Sequence, residues 1–108
     1  MKTVDVLIQA KALIADPSNW IQGKYYKKVV DGRECFCSLG AISKAMKPEI
    51  NFDIESFELD WTNNEAEKLL SKVVNHGPTT FARYNDEHTH AEVMEAFDKA
   101  IELAKQEA

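Results

Sequence analysis

Few residues in this 108-residue chain have side chains suited to chemistry, and Cys37 leads them. In the run Cys35-Phe36-Cys37-Ser38-Leu39-Gly40-Ala41-Ile42 it stands where a β-like stretch gives way to helical spacing. A thiol at a helix N-terminus feels the positive end of the helix dipole, which lowers its pKa. Paired with His76, His88 or His90, such a thiol would serve as the nucleophile of a hydrolase or transferase. The same position suits an inert thiol, because free cysteine is among the most buried residue types and Phe36 and Leu39 flank this one. Burial opposes ionisation, and we expect burial to prevail.

Other candidates are weaker. Cys35, Cys37, His88 and His90 together would offer four zinc donors. The one-residue spacing of each pair departs from the usual two to four, and His90 falls in the first turn of an expected helix, so we expect no metal and no cofactor. Two cysteines this close are badly oriented for a disulfide, and reduced thiols are expected. Asn85-Asp86 precedes the last helix, and both side chains readily bond nearby amides, so a structured turn is expected there. A functional reading has Asp86 orienting a histidine such as His88, or Asn85 and Asp86 binding a polar ligand. The catalytic candidates are therefore Cys37, His88 and Asp86, and the ligand-binding candidates Asn85 and Asp86. Lys24-Tyr25-Tyr26-Lys27-Lys28 mixes bases and aromatics as a single-strand-binding surface would. A hairpin edge guarded by lysines explains the same composition without a ligand.

These residues must be held by secondary structure, and its signals are local. Thr3 is placed to cap a first helix whose buried face is Val6, Leu7, Ala10, Leu13 and Ile14, and which Pro17 ends. Asp16 and Pro17 suit a further capped turn. Two aromatic or β-branched runs, Lys24 to Val30 and Arg33 to Phe36, flank Asp31-Gly32, the signature of a hairpin with a type I′ turn. A second helix follows from Cys37, with Leu39, Ile42 and Met46 on one stripe, and Pro48 closes it. Its Gly40-Ala41 pair suggests close approach of another backbone or ring, Trp20 or Phe81. Residues 49–61 fit a short strand or an irregular segment. Thr62 and Glu65 form a capping box for a third helix, with Ala66, Leu69, Leu70, Val73 and Val74 inward and His76-Gly77-Pro78 as its stop. Thr89 and Glu92 repeat that logic for the last helix, striped by Val93, Met94, Phe97, Ile101 and Ala104.

Composition bounds the rest. A 44% hydrophobic chain of this length can build one core, and we expect a single domain over residues 1–108. No signal-peptide pattern or membrane-length apolar run is read, so a cytoplasmic protein is expected. The net charge of −5 opposes binding to duplex nucleic acid, although Lys24, Lys27, Lys28 and Arg33 cluster locally.

The motif Phe36-Cys37-Ser38-Leu39-Gly40-Ala41-Ile42 resembles the Trp-Cys-Ala-Leu-Gly-Ala-Leu signature of an uncharacterised family of small bacterial and phage proteins. Asn85-Asp86 followed by Thr89-His90-Ala91-Glu92-Val93 resembles a second signature of that family. Val6 to Trp20 and Asp98 to Ala104 resemble its opening and closing helices. Phe36 stands where the family usually has Trp, and Cys35 matches none of its motifs. The resemblance implies a shared fold without an established activity, and it carries Cys37, Asn85 and Asp86 over as the positions of any functional cluster.

The expected fold is α+β and mostly helical, with about four helices around one core and a small hairpin between the first and second. The expected function is that of an accessory protein binding a macromolecular partner, such as a protein, or a small ligand. A cysteine-dependent hydrolase or transferase using Cys37 is the alternative.

Overall fold

Helix α1 (Thr3–Ile14) buries Val6, Leu7, Ala10 and Ile14, the face that its 3.6-residue spacing marks. The computed structural model describes residues 2–29, 31–49, 65–75 and 81–107. Thr3 is the first helical residue rather than the cap. Lys2 takes the cap position without a side-chain bond. A short 3-10 helix, Pro17–Asn19, follows, and there the Asp16 carboxylate accepts from the Ser18 amide and hydroxyl at 2.9 and 2.8 Å.

Strands β1 (Tyr26–Lys28) and β2 (Glu34–Phe36) pair antiparallel, with Tyr26 opposite Phe36 and Lys28 opposite Glu34. The turn differs from the expected type I′. The Gly32 amide donates to the Val29 carbonyl, the Val29 amide donates to Arg33, and of the Asp-Gly pair only Gly32 takes positive φ, at 88°. The need for glycine is thus met at one position, while the Asp31 carboxylate accepts from the Arg33 amide at 2.9 Å. On its other side β2 pairs with Trp20 in a parallel bridge, so β1 is the edge of this small sheet among the described residues.

Helix α2 (Ser38–Met46) buries Leu39, Ile42 and Ala45, but Met46 is half exposed and lies off the expected stripe. The proposed capping residue Thr62, the stop at 76–78 and the segment 50–61 lie outside the described residues. Helix α3 (Glu65–Val74) buries Ala66, Leu69 and Leu70. Helix α4 (Phe81–Glu87) occupies the stretch expected to be a turn, making five helices rather than four among the described residues. Its N-terminus is capped from a distance: Oε1 of the buried Glu67 accepts from the Phe81 amide and the Ser71 hydroxyl, both at 2.8 Å. Helix α5 (His90–Glu107) begins at the expected capping box. The Thr89 amide donates to Glu92 Oε1 at 3.0 Å, and the Glu92 amide donates back to Thr89 Oγ1 at 3.2 Å.

One core gathers these elements, uniting Leu7 and Ile14 of α1, Phe36 of β2, Leu39 and Ile42 of α2, Leu70 of α3, Phe81 of α4 and Phe97 of α5. The architecture is α+β, with helices packed around that core and the hairpin inserted between α1 and α2. Among the described residues no helix is long and apolar enough to cross a membrane.

Candidate functional site

The segment from Trp20 to Tyr25 brings the candidate residues together. It leaves the 3-10 helix, runs beside β2 and crosses the start of α2 before entering β1. Its path is fixed where the Ile21 amide donates to the Phe36 carbonyl and the Cys37 amide to the Tyr25 carbonyl. Gly40 allows that crossing. A Cβ built on it would lie 1.9 Å from the Tyr25 carbonyl oxygen, so the first turn of α2 tolerates no side chain here. The close neighbour is a backbone, as glycine suggested, but that of Tyr25 rather than Trp20 or Phe81.

Asn85 sits at the centre of this junction, fully buried. Its Oδ1 accepts from Trp20 Nε1 at 2.7 Å, Ser38 Oγ at 2.7 Å and the Ser38 amide at 3.0 Å. Its Nδ2 donates to the Ile21 carbonyl at 3.0 Å and to Asp86 Oδ1 at 3.3 Å. Both ends of the amide are thereby used, and the Ser38 contact satisfies a first-turn amide that α2 itself cannot pair. This explains why Asn85 lies in a helix rather than a turn: its bonds run to distant groups and not to its own backbone. Asp86 next to it is exposed, and its Oδ1 also accepts from the Gly23 amide at 2.8 Å. Gln22 completes the junction by donating to the carbonyls of Asn85, Asp86 and His88 at 3.0, 3.2 and 2.9 Å.

Cys37 is the N-cap of α2, and its sulfur accepts from the Gly40 amide at 3.5 Å. It is 2% exposed. Burial pushes the thiol up from 9.0 to about 11, against the Gly40 and Leu39 amides that favour the thiolate, and the nearby Asp86 charge raises it further. Cys35 is also buried and free, with its thiol 3.4 Å from the Ser18 carbonyl. A cleft of about 160 Å³ lies over Cys37, lined also by Gly23, Lys24, Tyr25, Ala82 and Asp86. That is below the roughly 300 Å³ at which drug-sized ligand pockets begin.

The histidines are held elsewhere. His88 Nδ1 lies 2.9 Å from the Tyr84 carbonyl, and its ring stacks on Tyr84 at 3.7 Å between centroids. His90 Nε2 lies 2.7 Å from the Ile14 carbonyl, with the ring edge-on to Trp20. Neither is hydrogen-bonded to Cys37, and His76 lies outside the described residues. Among the described residues no three His, Cys, Asp or Glu side chains gather as a metal site.

Sequence reasoning singled out Cys37, Asn85 and Asp86, and the fold brings these three together. It missed Gln22, Ser38 and Glu67. The available signal was the indole N–H of Trp20, a donor that needs an acceptor when it packs inward. That signal says a partner exists without naming it. Neither a curated protein nor a solved structure matches this chain. The model of the family of unknown function DUF6197 matches residues 1–103, nearly the whole chain, and the protein belongs to that family.

Proposed function

We propose that this protein is a non-catalytic binding domain, a small cytoplasmic accessory protein of bacterial or phage origin that docks a protein partner. The state of Cys37 carries this reading. A cysteine nucleophile needs an accessible thiol, a lowered pKa and a base within reach. Here the thiol is buried, its pKa is raised to about 11, and His88 and His90 face the carbonyls of Tyr84 and Ile14. Asp86 is exposed at the edge of the junction, over a cleft small enough to favour a partner's side chain over a whole small-molecule ligand. Two free cysteines are consistent with a reducing compartment.

Alkylation of the native and denatured protein in a Cys35→Ser background tests the reading. Cys37 should react slowly at neutral pH while folded and rapidly once unfolded. Rapid native alkylation, together with unchanged stability of Cys37→Ser, would favour a cysteine-dependent hydrolase or transferase instead.

A further inference from the structure

The hairpin carries four exposed cations, Lys24, Lys27, Lys28 and Arg33, on a chain whose net charge is −5. Of the nine bases elsewhere, five pair with a carboxylate among the described residues, and none of the others belongs to a comparable cluster on a strand. Lys11 pairs with Asp98, Lys68 with Glu65, Lys72 with Glu107, Arg83 with Glu87 and Lys99 with Glu95. None of the four hairpin cations has a carboxylate within ion-pairing distance among the described residues. The nearby acids are turned to other uses or fall short. Asp31 accepts from the Arg33 backbone, and the half-buried Glu34 stands opposite Lys28 in the register without closing an ion pair. Arg33 donates to the Ser18 hydroxyl at 3.2 Å, and that same hydroxyl donates to the Asp16 carboxylate. After the Ser18 bonds, the Arg33 charge helps to lower the pKa of Asp16, so the three lysines are the charges left without an acidic partner among the described residues.

The sheet adds a second feature. The bonds Cys37–Tyr25 and Val29–Arg33 fix the alternation of the antiparallel ladder, so Lys27 pairs with β2 while the amide and carbonyl of Lys28 point away from it. Lys27 and Lys28, being adjacent, project to opposite faces of the strand. A chain laid along the outer side of β1 would thus meet backbone hydrogen-bonding groups and a cation on either face.

We infer that β1 and the cluster of Lys24, Lys27 and Lys28, which pair with no carboxylate among the described residues, form the docking edge for an extended acidic segment of a partner protein, which adds to the hairpin as a third strand. The inference rests on the binding-domain reading above and names its surface and partner. Strand addition supplies main-chain bonds, and the partner's carboxylates supply the charges the hairpin lacks. Nucleic acid fits less well. A long polyanion would bring phosphates against the acidic remainder of the molecule, and Tyr25 and Tyr26 are packed partly into the core rather than displayed for stacking.

The probe is a fluorescent peptide of alternating Glu and Val, titrated into the full-length protein by anisotropy, with a Gln-for-Glu peptide and duplex DNA alongside. The Glu peptide should bind and the Gln peptide and DNA should not. Affinity should fall by about tenfold or more between roughly 0.1 M and 1 M salt, as the Debye length contracts from about 10 Å to about 3 Å. A Lys24→Glu/Lys27→Glu/Lys28→Glu variant should lose binding while melting like the parent, and Lys105→Glu, a helix-surface control, should retain it. Lys28→Pro, which removes an outward amide, should weaken binding in a still-folded protein. Equal binding by the triple variant, no binding of the Glu peptide, or tighter binding of DNA through the same lysines would each overturn the inference. None of these results depends on the thiol's reactivity, so the alkylation test stands apart.

Discussion

The segment that meets Asn85 runs straight into the hairpin, yet the junction and the hairpin use polar groups in opposite ways. At the junction every polar atom of the Asn85 side chain is paired inside the protein. At the hairpin three lysine charges have no carboxylate partner among the described residues and are left for water or a partner. Buried polar groups must be satisfied internally because no solvent can do so, whereas exposed charges cost little to leave unpaired. A fully satisfied node therefore serves the fold, and an unneutralised patch serves what approaches from outside.

Asn85→Ala should break this contrast most sharply. It strands the Trp20 indole, the Ser38 amide and hydroxyl and the Ile21 carbonyl, each at about 1–3 kcal/mol when buried. We expect a loss of about 3–5 kcal/mol and a Tm drop of more than about 10 °C by calorimetry. A near-parental melt would mean that the node is not what fixes the crossing segment.

Gly40→Ala comes next. Helix propensity alone would gain about 1 kcal/mol from alanine. The Tyr25 carbonyl at 1.9 Å from the added Cβ forces a backbone shift, and a net loss of about 2–3 kcal/mol in urea unfolding is expected. A stabilised variant would show that the crossing moves away at little cost.

Alkaline pH probes the buried thiol. Both states hold the Cys37 proton at neutral pH, but as pH rises past 9.0 the unfolded thiol ionises while the folded one resists to about 11. This contribution is complete below the unfolded pKa and is lost as pH climbs through that window, to the extent of about 2–3 kcal/mol. The difference in stability between parent and Cys37→Ala should shrink accordingly, and a difference constant with pH would contradict the burial. The smallest effect is expected at the hairpin. Lys27→Gln should change stability by less than about 0.5 kcal/mol, because no ion pair is lost there. A larger change would place this residue with the fold rather than the docking edge.

Much of the scaffold was legible because its signals act within a few residues. Apolar spacing marked α1, α3 and α5, Asp16 and the Thr89–Glu92 pair marked two helix starts, and Gly32 marked the hairpin turn. The turn type was misread because Asp-Gly signals two positive-φ positions and Asp31 does not take one. Helix α4 was missed because Asn and Asp favour turns when their side chains are free to bond locally, and the fold denies Asn85 that freedom.

By itself the sequence determined the starts of the 3-10 helix and of α5, which helix faces turn inward and that a hairpin separates α1 from α2, since periodicity, caps and glycine conformation are local properties. Only the tertiary structure decided that Asn85 meets Trp20 across 65 positions and Ser38 across 47, that Glu67 caps α4, and that Lys24, Lys27 and Lys28 meet no carboxylate among the described residues. Those outcomes depend on which polar groups are enclosed together when the core closes. Their partners are then fixed by geometry, because an enclosed donor without an acceptor is too costly to keep.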